Sequence, residues 1–269
     1  MVIHILLHGK NISMKIKKII NLTRDKVTLK SRKGYLRLDK NERVSNFKNF
    51  LLKKIQLNSF DLTSYPETGS IYKNLAIQYK LSINNFILTA GSEFGLRLCF
   101  QYFCNRKKSK VITLNPTFGM VDVYSKLFEV NQIKINYNKK LELEIDKFIY
   151  CIKPNISLII IANPNSPTGT IIEKKIITKI LSKAKKNNIP VIIDEAYAGF
   201  YNYSFINLIT KFNNLIILRT FSKSFGLAGL RVGFLAANKK IIKEIYKYKP
   251  MYEINSAATK AVLFFQKNK

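Results

Sequence analysis

The sequence predicts an α/β fold, a mostly parallel sheet with helices on both faces. Three observations point there. Short apolar, β-branched runs such as "LIII", "VII" and "LIIL" recur along the chain, and a strand apolar on both faces belongs to a sheet covered on both sides. Segments with helical spacing lie between those runs, as parallel strands require of their crossovers. Each run then ends abruptly in Gly, Pro, Asn or Ser, which is where an open α/β sheet places its ligand chemistry.

Taken in order, residues 1 to 30 are basic and weakly patterned, a loosely held lead-in. "RLDKNER" (37 to 43) is a charged loop and "SYPETGS" (64 to 70) a turn. "IYKNLAIQYKL" spaces Ile71, Leu75 and Tyr79 by four, so it is helical. "FILTA" (86 to 90) is a strand entering the helix "GSEFGLRLCFQYF", and "KVITLNP" (110 to 116) is a strand stopped by Pro116 before the helix "TFGMVDVYSKLF". "NQIKINYN" alternates as a strand. "ISLIIIANPNSPTGT" (156 to 170) is a buried strand with a Pro- and Gly-rich turn, followed by the helical "EKKIITKILSKAKKNN". "IPVIIDEAY" (189 to 197) and "NLIILRT" are further buried strands. "GFLAANKKIIKEIYKYK" is a strand and helix broken by Pro250, and "INSAATKAVLFFQKNK" is a last amphipathic helix. Three regions result: a lead-in (1–60), a large α/β domain (61–250), and a last helical segment (251–269).

Composition narrows the function classes. At 269 residues and 47% hydrophobic content there is material for a sizeable core. A net charge of +30 would suit a polyanion partner, but only eight of the 46 basic residues are Arg and the lysines are scattered among Asn and Ile. That scatter reads as compositional background, so no nucleic-acid partner is expected. Cys99, Cys104 and Cys151 form no Cys-x-x-Cys pair, and the two histidines, His4 and His8, lack further ligands. Neither a disulfide framework nor a metal site is indicated. With no run approaching 18 apolar residues and no cleavable leader pattern, a cytoplasmic protein without membrane attachment is expected.

The strand ends hold the chemistry. "LIILRTFSKSFGLAGLRVGF" carries Lys223 out of a core strand and places Arg231 eight residues later between Leu230 and Val232, where a buried guanidinium would need an anionic partner. Asp194 ends "VIID", and Gly91 and Ser92 open a helix whose free N–H groups make an anion site. The glycine patterns of nicotinamide and nucleoside-triphosphate loops are missing. A lysine amine, a carboxylate, a phosphate cradle and aromatic residues together suit pyridoxal 5′-phosphate: the amine forms a Schiff base and the acid keeps the ring nitrogen protonated.

The motifs "LDKNE", "YPE", "TAGSE", "NPTFGM", "ANPNSPTGT", "IIDEAY" and "RTFSKSFGLAGLRVGF" stand in the order of fold-type I pyridoxal-phosphate aminotransferases, and the chain most resembles the histidinol-phosphate aminotransferase group. The resemblance covers roughly residues 36 to 260, and it makes the three regions an arm (1–60), a cofactor domain (61–250) and the start of a connecting helix (251–269). It implies that Lys223 anchors the cofactor and moves the proton between the substrate α-carbon and cofactor C4′, with Asp194 on the pyridine nitrogen and Tyr197 on the phenolic oxygen. Phe118 would stack on the ring. Gly91, Ser92, Glu93, Thr220, Ser222 and Arg231 would cradle the phosphate, joined by Tyr65 from a second copy, which implies a homodimer acting on small amino-acid and keto-acid substrates.

Two departures qualify the match. Ser166 stands where the family usually has Asn, so tuning of the phenolic oxygen is expected to weaken or to draw on Asn163 or Asn165. Family members also continue into a small domain that holds the substrate carboxylate, so the chain reads as truncated, and Ala261, Val262, Leu263 and Phe264 are expected to be exposed. "LDKNER" also differs from the "LDANEN" style of the housekeeping enzymes. The alternatives are a decarboxylase of a phosphorylated amino acid on the same fold, a basic nucleic-acid-binding protein, or an inactive truncated homologue.

Overall fold

The computed structural model describes residues 2–7, 10–15, 31–105 and 108–268, in two units, Met1–Lys33 and Gly34–Lys269. In the first, β1 (Val2–Leu7) and β2 (Lys10–Lys15) pair antiparallel with Val2 opposite Lys15. The expected unpatterned lead-in therefore contains a hairpin, consistent with the alternation of "VIHI". Residues 16–30 of that lead-in, and His8, lie outside the described residues.

The second unit is built on seven strands in the order β3-β9-β8-β7-β6-β4-β5. Their ranges are β3 (Phe86–Thr89), β4 (Lys110–Asn115), β5 (Asn131–Asn136), β6 (Leu158–Ala162), β7 (Val191–Asp194), β8 (Leu215–Thr220) and β9 (Gly233–Ala237). Neighbours from β5 across to β8 are parallel, and β9 alone runs against the rest, antiparallel to both β3 and β8. Every residue of β6 and β7 is buried, as a strand covered on both faces demands.

Alternate strand residues feed two cores. Ile159, Ile161, Ile193 and Ile217 pack with α3 (Gly69–Tyr79), α6 (Ile145–Cys151), α7 (Lys174–Lys186) and α9 (Ser256–Lys267), through Leu75, Phe148, Ile177, Ile180 and Val262. Leu158, Ile160, Ile192 and Ile216 face the other way, onto α4 (Ser92–Phe103), α5 (Met120–Leu127) and α8 (Lys239–Tyr246), through Leu96, Phe100, Val121 and Ile245. Each such fully buried side chain contributes about 1.5–3 kcal/mol, so the two layers hold the sheet edge rigid where the polar residues emerge.

One expectation is corrected here. Ala261 and Val262 are buried rather than exposed, and Leu263 and Phe264 are half-buried, because α9 folds back with its apolar stripe in the α3 core and sets Phe265 4.9 Å from Phe47. The short helices α1 (Asn49–Leu52) and α2 (Ser59–Thr63), like α6, have too few residues for a clear sequence period. Among the described residues no helix is long and apolar enough to cross a membrane, and no cluster of three or more His, Cys, Asp or Glu could hold a metal ion.

Candidate active site

Register fixes the site. Ala162, Asp194 and Leu218 sit side by side on β6, β7 and β8, and the Asn163 N–H donates to the Asp194 carbonyl at 2.9 Å. The turns leaving these strands thus converge at one sheet edge.

Three residues past β8, the chain places Lys223 in a cavity of about 710 Å³, well within the range that takes a small ligand. Asn165, Ser166, Tyr197 and Ser224 line it, as do Asn41 and Arg43 of the "LDKNER" segment. Lys223 Nζ donates to the carbonyls of Lys40 at 2.7 Å and Asn41 at 3.1 Å and stands 5.6 Å from the Tyr197 ring centre. The Tyr197 hydroxyl accepts from Asn41 Nδ2 at 2.8 Å. Sequence reasoning read this segment as a charged loop and missed that it straps the lysine.

Asp194 is 7% exposed, and its carboxylate accepts from the Ala196 N–H at 3.0 Å. Burial pushes it up to about 7, against that N–H and with an added push from the Glu195 charge. Glu195 itself, 2% exposed, faces elsewhere: it pairs with Arg219 Nε at 2.7 Å, accepts from the Ser204 hydroxyl at 2.8 Å and takes the Phe205 N–H. Of the two adjacent acids, one is tied off by an ion pair and the other pairs with no cation among the described residues.

Beside β3 lies an anion cup. Gly91 is the N-cap of α4 at φ +81 and makes no side-chain cap bond, so the first-turn N–H groups of α4 point out unmet by a capping side chain. A Cβ on Gly91 would sit 2.7 Å from Arg231 Nη2, and one on Gly233 would sit 2.5 Å from the Arg219 carbonyl oxygen and 2.8 Å from Ser92 N. Glycine is required at both because backbone and guanidinium press together there. Arg231 Nη1 donates to Ser222 Oγ at 3.2 Å and Nη2 to the Ala90 carbonyl at 3.2 Å, while Thr220 Oγ1 donates to Ser222 Oγ at 2.9 Å. Arg231 is exposed, which corrects the expectation of a buried guanidinium: it lies in the loop between β8 and β9 at φ +53. Among the described residues it pairs with no carboxylate.

Other residues sit differently. Asn163 bridges to the N–H and carbonyl of Ile172. Asn165, 2% exposed, accepts from Thr117 and donates to the Pro116 carbonyl and Thr168 Oγ1. Both amides are committed to bonds within and beside their own loop. Glu93 accepts from the Tyr124 hydroxyl at 3.2 Å, which turns it toward α5. Phe118 is half-buried against the α4 core. Tyr65 is 72% exposed, stacks on Tyr252 at 4.0 Å, and does not line the cavity.

An α/β sheet with an amine, a buried carboxylate and an anion cup at one edge is the kind of site that takes an anionic small molecule. Comparison with known proteins agrees. The model of the aminotransferase class I and II family matches residues 54–264, and the chain belongs to that family. It is 36% identical over 225 residues to a histidinol-phosphate aminotransferase of Thermoanaerobacter pseudethanolicus, covering 82% of this chain. The chain spans only 63% of that relative's length. Three solved structures share the fold. The histidinol-phosphate aminotransferase of Clostridium acetobutylicum is 24% identical with a TM-score of 0.72, covering 82% of this chain and 66% of its own. That of Sinorhizobium meliloti, in complex with pyridoxal-5′-phosphate, is 18% identical with a TM-score of 0.75, covering 85% and 63%. The L-threonine-O-3-phosphate decarboxylase of Porphyromonas gingivalis is 22% identical with a TM-score of 0.70, covering 82% and 65%.

Proposed function

We propose that the chain is the cofactor-binding part of a pyridoxal-phosphate aminotransferase, histidinol-phosphate aminotransferase-like, that moves an amino group between an amino-acid donor and a keto substrate. The observation that carries this is the convergence of Lys223, buried Asp194 and the uncapped α4 N-terminus with Arg231 at one sheet edge.

The residues fit the cofactor. Asp194, buried without a cation, is matched to a protonated ring nitrogen, and pairing would draw its raised pKa back down. The Gly91, Ser92 and Glu93 turn offers backbone N–H groups to the phosphate, with Thr220, Ser222 and Arg231 beside it. Tyr197, aligned by Asn41, addresses the phenolic oxygen together with the single donor of Ser166, and Phe118 covers the ring. Asn165 shapes the loop that carries Ser166. When bound, the cofactor supplies an electron sink next to the substrate amine.

Lys223 does the proton chemistry. With the cofactor bound, its Nζ would leave the carbonyls of Lys40 and Asn41 and would be the group that accepts the substrate α-proton and gives it back. The cofactor domain takes in residues 61–250, and 251–269 lead toward a small domain. Tyr65, stacked outward on Tyr252, serves a second copy's phosphate in a cytoplasmic homodimer.

The test is an absorbance titration of the purified chain with pyridoxal phosphate, followed by borohydride reduction and peptide mapping. A visible band with the label on Lys223 is expected, kept in Lys185→Ala and abolished in Lys223→Ala. A wild-type chain without the band, or with the label on another lysine, refutes the assignment.

A further inference from the structure

Arg43 is a second cation at this cavity, and the reading above gives it no role. It lines both the 710 Å³ cavity of Lys223 and a neighbouring one of about 430 Å³ bounded by Arg37, Phe47, Leu52, Gly226 and Gly229, and Glu42, which lines both cavities as well, makes no ion pair with it. Its stem lies on Gly226, where an added Cβ would meet Arg43 Cδ at 2.7 Å and Cβ at 3.2 Å. Gly226 also has φ +70, so glycine is needed there both for the turn and for the passage of the arginine. The guanidinium carbon stands 4.4 Å from the centre of the Phe47 ring, and Nε donates to the Ser45 carbonyl at 2.9 Å.

These contacts hold the stem, one face and one N–H. Of the five N–H donors of a guanidinium, the four on Nη1 and Nη2 have no partner among the described residues, and no carboxylate pairs with Arg43 there. A surface arginine held by an acid is neutralised by it. This one is oriented by an aromatic ring and a glycine and keeps both its charge and its fork for something else. It is also remote in role from Arg231, whose fork is engaged with Ser222 and Ala90 at the α4 cup.

We infer that Arg43 is a specificity-determining residue that binds a second anionic group of the substrate, a carboxylate or a phosphate monoester carried away from the amine that reacts at Lys223. The inference rests on the proposed function, since it takes the occupant of the Lys223 cavity to be an amine substrate. A bidentate contact from a preorganised guanidinium at an exposed site is expected to contribute about tenfold in affinity, and to weaken with added salt.

The experiment uses the full 269-residue chain loaded with pyridoxal phosphate, and reads the change in the visible band on adding amines. L-Glutamate is compared with L-glutamine, and O-phospho-L-serine with L-serine. Wild type is expected to bind at least one anionic member about tenfold more tightly than its neutral twin, and the pair that shows it identifies carboxylate or phosphate. In Arg43→Gln the ratio should fall to within about twofold of one, with the band of the loaded chain unchanged, and Arg43→Lys should keep an intermediate ratio. A wild type indifferent to both anions, or an Arg43→Gln chain with the wild-type ratio, overturns the inference while leaving the band on Lys223 and the proposed function intact. A wild type with no band overturns both.

Discussion

Asp194→Asn should make the cofactor-free protein more stable as the pH rises. The unfolded chain gives up the Asp194 proton near 3.8, whereas the folded chain holds it until about 7. Between those values the native state binds more protons than the unfolded one, so each pH unit gained lowers the unfolding free energy by about 1.4 kcal/mol. The group's contribution is fully present below 3.8 and lost as pH rises through 7, for a total of about 4 kcal/mol. Asn keeps an oxygen for the Ala196 N–H but cannot ionise. Its own stability is offset by an unmet buried amide, about 1–3 kcal/mol, yet that offset does not vary with pH. The diagnostic quantity is therefore the difference between variant and wild type, measured by chemical denaturation of the cofactor-free chains. It should grow by about 2.5 kcal/mol in favour of the variant between pH 5 and 8 and level off above. A difference independent of pH would refute the assignment of a buried, unpaired carboxylate. With pyridoxal phosphate bound, the wild-type curve should flatten, because the ring N–H then partners the charge.

Gly91→Ala would push a methyl group to 2.7 Å from Arg231 Nη2 at a backbone φ of +81; cofactor affinity, read by the visible titration, should fall at least about tenfold, while Gly119→Ala, with no neighbour within 4 Å, should leave it unchanged. Removing one partner of the Glu195–Arg219 pair, whose side chains are 2% and 16% exposed, should cost about 3–5 kcal/mol in denaturant unfolding, and Glu195→Gln combined with Arg219→Met should recover part of the loss. Ile161→Ala, at 0% exposure in the central strand, should cost about 2–5 kcal/mol by the same measurement.

The sheet was legible because its signal is local. The runs "LIII", "VIID" and "LIIL" need both faces covered, and those runs became β6, β7 and β8. The strand ends followed from the same reading, which is why Lys223, Asp194, Gly91 and Arg231 could be selected from sequence. What escaped depends on contacts far apart in the chain. The bonds from Lys223 to Lys40 and Asn41 span more than 180 residues, and no periodicity near "LDKNER" signals them. Arg231 between two apolar neighbours suggested burial, but its positive φ turns it outward, a conformation that the flanking residues do not encode. The pairing of Arg219 with Glu195 was likewise hidden, since each lies next to a more conspicuous residue. α9 was expected to lose its partner surface, yet an amphipathic helix takes the nearest apolar face available, here that of α3.

Because β9 pairs with both β8 and β3, the lysine and the phosphate-side arginine ride on one hairpin whose closing also fills the gap in the sheet. The order of events during synthesis follows. Until Gly233–Ala237 leaves the ribosome, β3 has no neighbour in the sheet and Ser92 has no glycine pressed against it. A nascent chain ending anywhere before this strand presents two edges, those of β3 and β8, open to wrong pairing, and one short stretch, emerging late, closes both.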